Sequence, residues 1–146
     1  MPRKVYYYTR TGNCKKVARD YVDEDNGYLI QITDIPEDNY QGIWGFIKGG
    51  FDAVRGKEVS YRTVGDKYIE ENEIVLVTPI WAGKIPPAFN SFLSEESFTP
   101  EMKVHVVTVS KSGNGRDAFR YIADRLQEEG VMEIRHRNLK ESEIAI

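Results

Sequence analysis

Val5-Tyr6-Tyr7-Tyr8-Thr9-Arg10-Thr11-Gly12-Asn13-Cys14 changes character twice within a short stretch. Val5 to Tyr8 is a β-branched and aromatic run of strand type, and Thr9 to Asn13 has the polar and glycine content of a tight loop. From Cys14 the period becomes helical. Cys14, Val17, Ala18, Tyr21 and Val22 fall at i, i+3, i+4, i+7 and i+8, and Gly27 punctuates the end of the stripe. A strand, a tight loop and an amphipathic helix in that order form the opening unit of an α/β fold.

The rest of the chain repeats the alternation. Tyr28 to Ile32 reads as a second strand, and Ile43, Phe46, Ile47, Gly50, Phe51 and Val54 recur at helical spacing, with Trp44 among the packing residues. Ile74-Val75-Leu76-Val77 is a continuous apolar run, the pattern of a strand covered on both faces. After Pro86-Pro87 a short helix carries Phe89, Phe92 and Leu93. Val104 to Val109 is another buried strand, with His105 inside it as a core histidine. Phe119, Ile122, Ala123 and Leu126 form a last stripe ending at Gly130, and Met132 to Leu139, which includes His136, alternates as an edge strand would. Strands joined through helices imply right-handed crossovers and a doubly wound parallel sheet of five strands with helices on both faces. Residues 1–146 read as one domain, without repeats or linkers.

In such a sheet ligands bind beyond the carboxyl ends of the strands, where the strand order reverses. Three loops leave strand ends there: Thr9–Asn13, Thr78–Lys84 and Ser110–Gly115. The first precedes a helix, so its backbone N–H groups and the positive end of the helix dipole make an anion site, with hydroxyls from Thr9 and Thr11 and close approach permitted by Gly12. The loop has neither the lysine-serine ending of a nucleoside triphosphatase loop nor the spaced glycines of a dinucleotide fingerprint, and a monophosphate suits it better than either. Taken alone, the same residues also fit an ordinary capped helix start.

Together the three loops resemble the flavodoxin and short-chain flavodoxin-like family. Thr9-Arg10-Thr11-Gly12-Asn13 resembles its phosphate loop for flavin mononucleotide (FMN). Thr78-Pro79-Ile80-Trp81-Ala82-Gly83-Lys84 is similar to its second flavin loop, Ser110-Lys111-Ser112-Gly113-Asn114-Gly115 stands where its third falls, and Gly42 to Lys57 resembles a helix of one branch. The resemblance implies the strand order 2-1-3-4-5, which makes the first, third and fourth strands neighbours, and FMN as a non-covalent cofactor. Thr9, Arg10, Thr11, Gly12, Asn13 and Cys14 would hold the phosphate. Thr78, Pro79, Ile80, Trp81, Ala82 and Gly83 would meet the ring, with Trp81 against or beside it, as would Ser110, Lys111, Ser112, Gly113, Asn114 and Gly115. Cys14 departs from the family's usual Ser or Thr, which would put a weak thiol donor in place of a hydroxyl. Lys111 would bring a positive charge near the flavin ring. The family's usual last helix is not expected, since the stretch Asn138 to Ile146 that remains is too short for it; that would bare apolar sheet surface and leave room for a homodimer.

Composition narrows the classes. The 146 residues carry a formal charge of −3, which gives no reason to expect nucleic acid, and no apolar run approaches a membrane span. The N-terminus lacks the pattern of a secretory signal, which implies a cytoplasmic location. Cys14 is the only cysteine, so neither an intrachain disulfide nor a thiolate metal cluster is expected, and no catalytic triad surrounds either histidine. Between Asp20 and Tyr40 every charged residue is acidic: Asp20, Asp23, Glu24, Asp25, Asp34, Glu37 and Asp38. Such a run is either a solvated surface or a docking face for basic redox partner proteins. The leading functional expectation is a flavodoxin-type electron carrier. The alternatives are an NAD(P)H-dependent FMN reductase acting on a quinone or other small acceptor, and a domain of this fold that has lost FMN.

Overall fold

The computed structural model describes residues 3–25, 28–34, 48, 60–65, 72–111 and 113–144. Apart from Lys48, the helix expected within residues 42–57 lies outside them, as does Trp44. Strands β1 (Lys4–Tyr8), β2 (Tyr28–Asp34), β3 (Tyr61–Val64), β4 (Glu73–Pro79), β5 (Lys103–Ser110) and β6 (Glu133–Lys140) form one sheet in the order β3-β2-β1-β4-β5-β6. Helices α1 (Asn13–Asp25), α2 (Pro87–Glu95) and α3 (Arg116–Glu128) cover it. The five expected strands are parallel and stand in the expected order. The sheet has six strands rather than five, because β3 pairs antiparallel with β2, Asp34 opposite Tyr61.

Continuous apolar runs become the central strands because helices lie on both faces. Ile74, Leu76, Val104 and Val106 join Phe89, Phe92 and Leu93 of α2 and Ile122 and Leu126 of α3 in one core. Phe89, Phe92 and Leu93 are essentially inaccessible, and burying each such side chain contributes about 1.5–3 kcal/mol. Pro87 opens α2 at a position where its missing N–H costs nothing. α3 ends where Gly130 adopts φ +91, a left-handed conformation that favours glycine.

On the other face α1 packs over β1, β2 and β4. Its stripe of Cys14, Val17 and Ala18 meets Val5, Tyr7, Val75, Val77, Val107 and Val109. After β6 the described residues form one 3₁₀ turn, Glu141–Glu143. Leu139 of β6 and Ile144 beyond the turn pack against the same cluster, at the carboxyl end of β5. Towards the amino end β5 and β6 present His105, Arg135 and Arg137, so the sheet surface that the described residues leave uncovered on this side is cationic rather than apolar as expected. No helix among the described residues is long and apolar enough to cross a membrane.

Candidate functional site

The chain passes from β1 out to β2 and β3, then returns across β1 to β4, so the strand order reverses between β1 and β4. This is where an open α/β sheet leaves a crevice at the carboxyl ends of its strands. The three sequence-selected loops leave β1, β4 and β5, which are neighbours, and therefore meet at one edge. A bond from the Ile80 N–H to the Val109 carbonyl, 2.9 Å, ties the second loop to the strand that launches the third.

In the first loop the Gly12 N–H donates to Thr9 Oγ1 at 2.9 Å, turning the chain into α1. Gly12 has φ +97, and a Cβ there would meet nothing within 4 Å, so the space above the helix start is open. The side chains of Thr9, Arg10 and Asn13 are half-buried and Thr11 is exposed. Cys14 differs from the expectation of a thiol facing the loop. Only 2% of it is exposed, its side chain lies in the core beneath α1, and burial pushes its thiol well above the ordinary range. Its contribution to the loop is restricted to its backbone.

The second loop is a tight turn in which Trp81 and Lys84 exchange backbone bonds of 2.7 and 2.9 Å. Ala82 (φ 51) and Gly83 (φ 81) are both left-handed, the combination a type I′ turn requires. Thr78 is fully buried and its hydroxyl donates to the Pro79 carbonyl at 3.0 Å, so it faces the interior. Trp81 is half-buried and lies edge-on to Tyr8, ring centres 5.5 Å apart. The Tyr8 hydroxyl donates to Asp34 Oδ2 at 2.5 Å, while Asp34 Oδ1 is buried without a partner. Burial raises the Asp34 carboxyl above its ordinary range, with the Tyr8 bond pulling the other way. Asp34 is therefore an interior group, not part of an acidic docking face; Asp20 is exposed, and Glu37 and Asp38 lie outside the described residues.

The third loop is held from beneath. The Gly113 N–H donates to Ser110 Oγ at 2.9 Å, and Asn138 Nδ2 donates to the Gly113 carbonyl. Asn138 Oδ1 accepts from Thr108 Oγ1 at 2.8 Å, and Thr108 Oγ1 also lies 2.8 Å from His136 Nε2. A hydroxyl has one proton, and here it goes to Asn138. His136 must then be the donor through Nε2–H, and in the neutral ring this is the Nε2–H tautomer. The imidazole stacks on Phe119 at 4.2 Å, and burial holds its pKa below the ordinary value. A Cβ on Gly115 would collide with Thr108 Oγ1 and come within 2.7 Å of Asn138 Oδ1. Lys111 and Asn114 are exposed, and Ser112 lies outside the described residues.

No protein-family model matches the chain, and no curated protein matches it. Solved structures do. A flavoprotein from Lactobacillus acidophilus NCFM, in complex with FMN, superposes with a TM-score of 0.73 at 14% identity, covering 95% of this chain and 91% of that one. The chain has the flavodoxin-like fold. A flavodoxin, WrbA-like protein from Agrobacterium tumefaciens matches with a TM-score of 0.56 at 16% identity, covering 90% of this chain and 74% of that one. An azoreductase from Bacillus anthracis str. Sterne matches with a TM-score of 0.54 at 14% identity, covering 93% and 85%.

Tyr8, Asp34, Thr108, His136 and Asn138 join the site although the sequence did not single them out for it. Polar residues at β5 and β6 positions that face α3, directly beneath a glycine-containing loop, are the signal that points to the last three.

Proposed function

We propose that the chain binds FMN without a covalent bond at the carboxyl ends of β1, β4 and β5 and acts as a flavodoxin-type electron carrier between redox proteins. The observation that carries this reading is the meeting of three loops at the switch point, with the amino end of α1 opening onto free space above Gly12. The residues present fit the group. Backbone N–H groups of Thr11 to Cys14, the hydroxyls of Thr9 and Thr11 and the Arg10 guanidinium would hold the phosphate. Trp81, kept upright by Tyr8, would give the ring a wall, and the loop braced by Asn138 would border its other side. When bound, FMN supplies one- and two-electron redox chemistry. Exposed Asp20, with Glu37 and Asp38, would steer a basic partner to the protein.

The FMN complex of the Lactobacillus acidophilus flavoprotein supports the cofactor, and the Agrobacterium tumefaciens protein supports a flavodoxin role. The Bacillus anthracis azoreductase favours a second reading, an NAD(P)H-dependent reductase of small acceptors. Titration of apoprotein with FMN and riboflavin tests the site. Charge-assisted hydrogen bonds contribute about 1.5–3 kcal/mol each, so riboflavin should bind at least about tenfold more weakly, and equal affinities would refute the phosphate loop. The role is tested by mixing the loaded protein with NADH or NADPH alone. A carrier is reduced slowly unless a flavodoxin reductase is present, and that rate falls as salt rises. Rapid bleaching by the nucleotide, with turnover on a quinone, would establish the reductase instead.

A further inference from the structure

At the opposite end of the sheet, on the α1 side, the amino ends of β4, β5 and β6 surround a cavity of about 260 Å³. Among the described residues, α1 packs over β2, β1 and β4, and Leu139 and Ile144 pack against the apolar cluster that includes Val107 and Val109, towards the carboxyl end of β5. Val75, His105 and Arg135 are direct neighbours across β4, β5 and β6, and all three line the cavity. Arg3, Glu73, Lys103 and Glu133 complete its polar wall.

The charges are unevenly distributed. Lys103 and Glu133 stand 4.0 Å apart and offset one another. Tyr21 of α1 gathers the cations: its ring lies edge-on to His105 at 5.5 Å and 5.6 Å from the Arg3 guanidinium, and its hydroxyl accepts from Arg137 Nη1 at 3.4 Å. Among the described residues Arg135 makes no ion pair. Burial first, then Arg135, Arg137, Arg3 and His136, hold the His105 imidazole below its ordinary pKa, and no carboxylate acts against them. The centre of the cavity is thus a half-buried neutral imidazole at positive potential, with Glu73 on the β4 side as the nearby carboxylate that opposes an anion.

We infer that this cavity binds a small oxyanion, a phosphate or carboxylate group, between the Arg135 guanidinium and the His105 imidazole. The planar fork of an arginine matches either group with two parallel bonds, and an imidazole beside it adds a further donor. A volume of about 260 Å³ lies below the roughly 300–1,000 Å³ of pockets that hold drug-sized ligands, which is room for a compact metabolite rather than a dinucleotide. The site lies at the amino ends of the strands, whereas the flavin loops leave the carboxyl ends, so the two ligands would occupy separate places. An anion there favours the imidazolium, and by reciprocity a proton on His105 favours the anion.

Histidine proton resonances of the full chain, followed during titration with inorganic phosphate, citrate or acetate at ionic strength fixed with chloride, test the inference. Saturable movement of the His105 signals is expected, with a higher His105 titration midpoint in the bound state and tighter binding at pH 6 than at pH 8. Response to phosphate alone would identify a phosphate ligand, and response to citrate or acetate a carboxylate; either supports the site. Arg135→Gln should weaken binding at least about tenfold, and Glu73→Gln should tighten it. Anion taken up at Thr9–Cys14 instead would leave the His105 signals still and ignore both substitutions. Unmoved His105 signals, movement reproduced by chloride, or unchanged affinity in Arg135→Gln would overturn the inference.

Discussion

Asn138→Ala is expected to loosen the third loop from its support and to show how firmly the edge strand holds it. The side chain makes two bonds, accepting from the Thr108 hydroxyl and donating to the Gly113 carbonyl. Each contributes about 0.5–1.5 kcal/mol net, and Thr108, with no exposed surface, would lose its acceptor, which adds a share of the about 1–3 kcal/mol cost of a stranded buried donor. The loss should total about 2–4 kcal/mol. For a chain of this size about 1 kcal/mol moves the melting temperature by about 2–4 °C, so a fall of about 5–15 °C is expected. Urea unfolding of the apoprotein measures the energy, and a cycle with Thr108→Val measures the coupling. Because the two side chains touch, their effects should be non-additive by more than about 0.5 kcal/mol. Additive effects, or an Asn138→Ala protein within about 0.5 kcal/mol of the parent, would refute the brace. FMN affinity should fall in parallel; full affinity in a destabilised variant would separate the brace from the flavin site.

Three further outcomes follow from individual contacts. His136 is kept neutral by burial, so the unfolded chain takes up a proton that the folded one resists; stability should be intact above about pH 6.5 and decline as pH falls from that value towards the depressed folded pKa, a slope that His136→Gln should reduce in acid unfolding curves. Ala82 sits at φ 51, where a side chain costs about 1–2 kcal/mol, offset in part by the about 0.4–1 kcal/mol of extra unfolded-state freedom glycine has; Ala82→Gly should therefore stabilise by about 0.5–1 kcal/mol, and a measured loss would contradict the left-handed turn. Cys14→Ser places a hydroxyl among apolar side chains and should cost about 1–3 kcal/mol without tightening FMN binding, whereas a gain in affinity would return the side chain to the phosphate loop.

The sequence revealed most where burial is two-sided. Ile74–Val77 is apolar throughout because helices cover both faces, whereas Val104–Val109 admits His105 on the face beyond α1 and a hydrogen-bonded Thr108 on the face of α3. β3 escaped notice because Tyr61-Arg62-Thr63-Val64 is short and its alternation is that of many loops; only its pairing with β2 makes it a strand. Asp34 stands among acidic neighbours in the sequence, yet its environment is decided by Tyr8, far away in the chain but on the neighbouring strand. Cys14 is at once the last residue of the loop pattern and the first of a helical stripe, and its packing follows the stripe. His105 and His136 lie in adjacent strands with opposite orientations, one beneath Tyr21 and the other on Phe119, a distinction that register creates and composition does not contain.

An open sheet exposes two ladders of unpaired amides and carbonyls, each a template on which another chain could zip. Among the described residues one margin is β3, which offers only four residues, one of them Arg62. At the other margin β6 is eight residues long but carries Glu133, Arg135, Arg137 and Lys140, which a zipped copy would have to desolvate or set against their own kind. The charge that gives β6 its cationic face therefore also acts as a gatekeeper against fibrillar growth, and neutralising Arg135 and Arg137 together would remove that protection as well as the anion cavity.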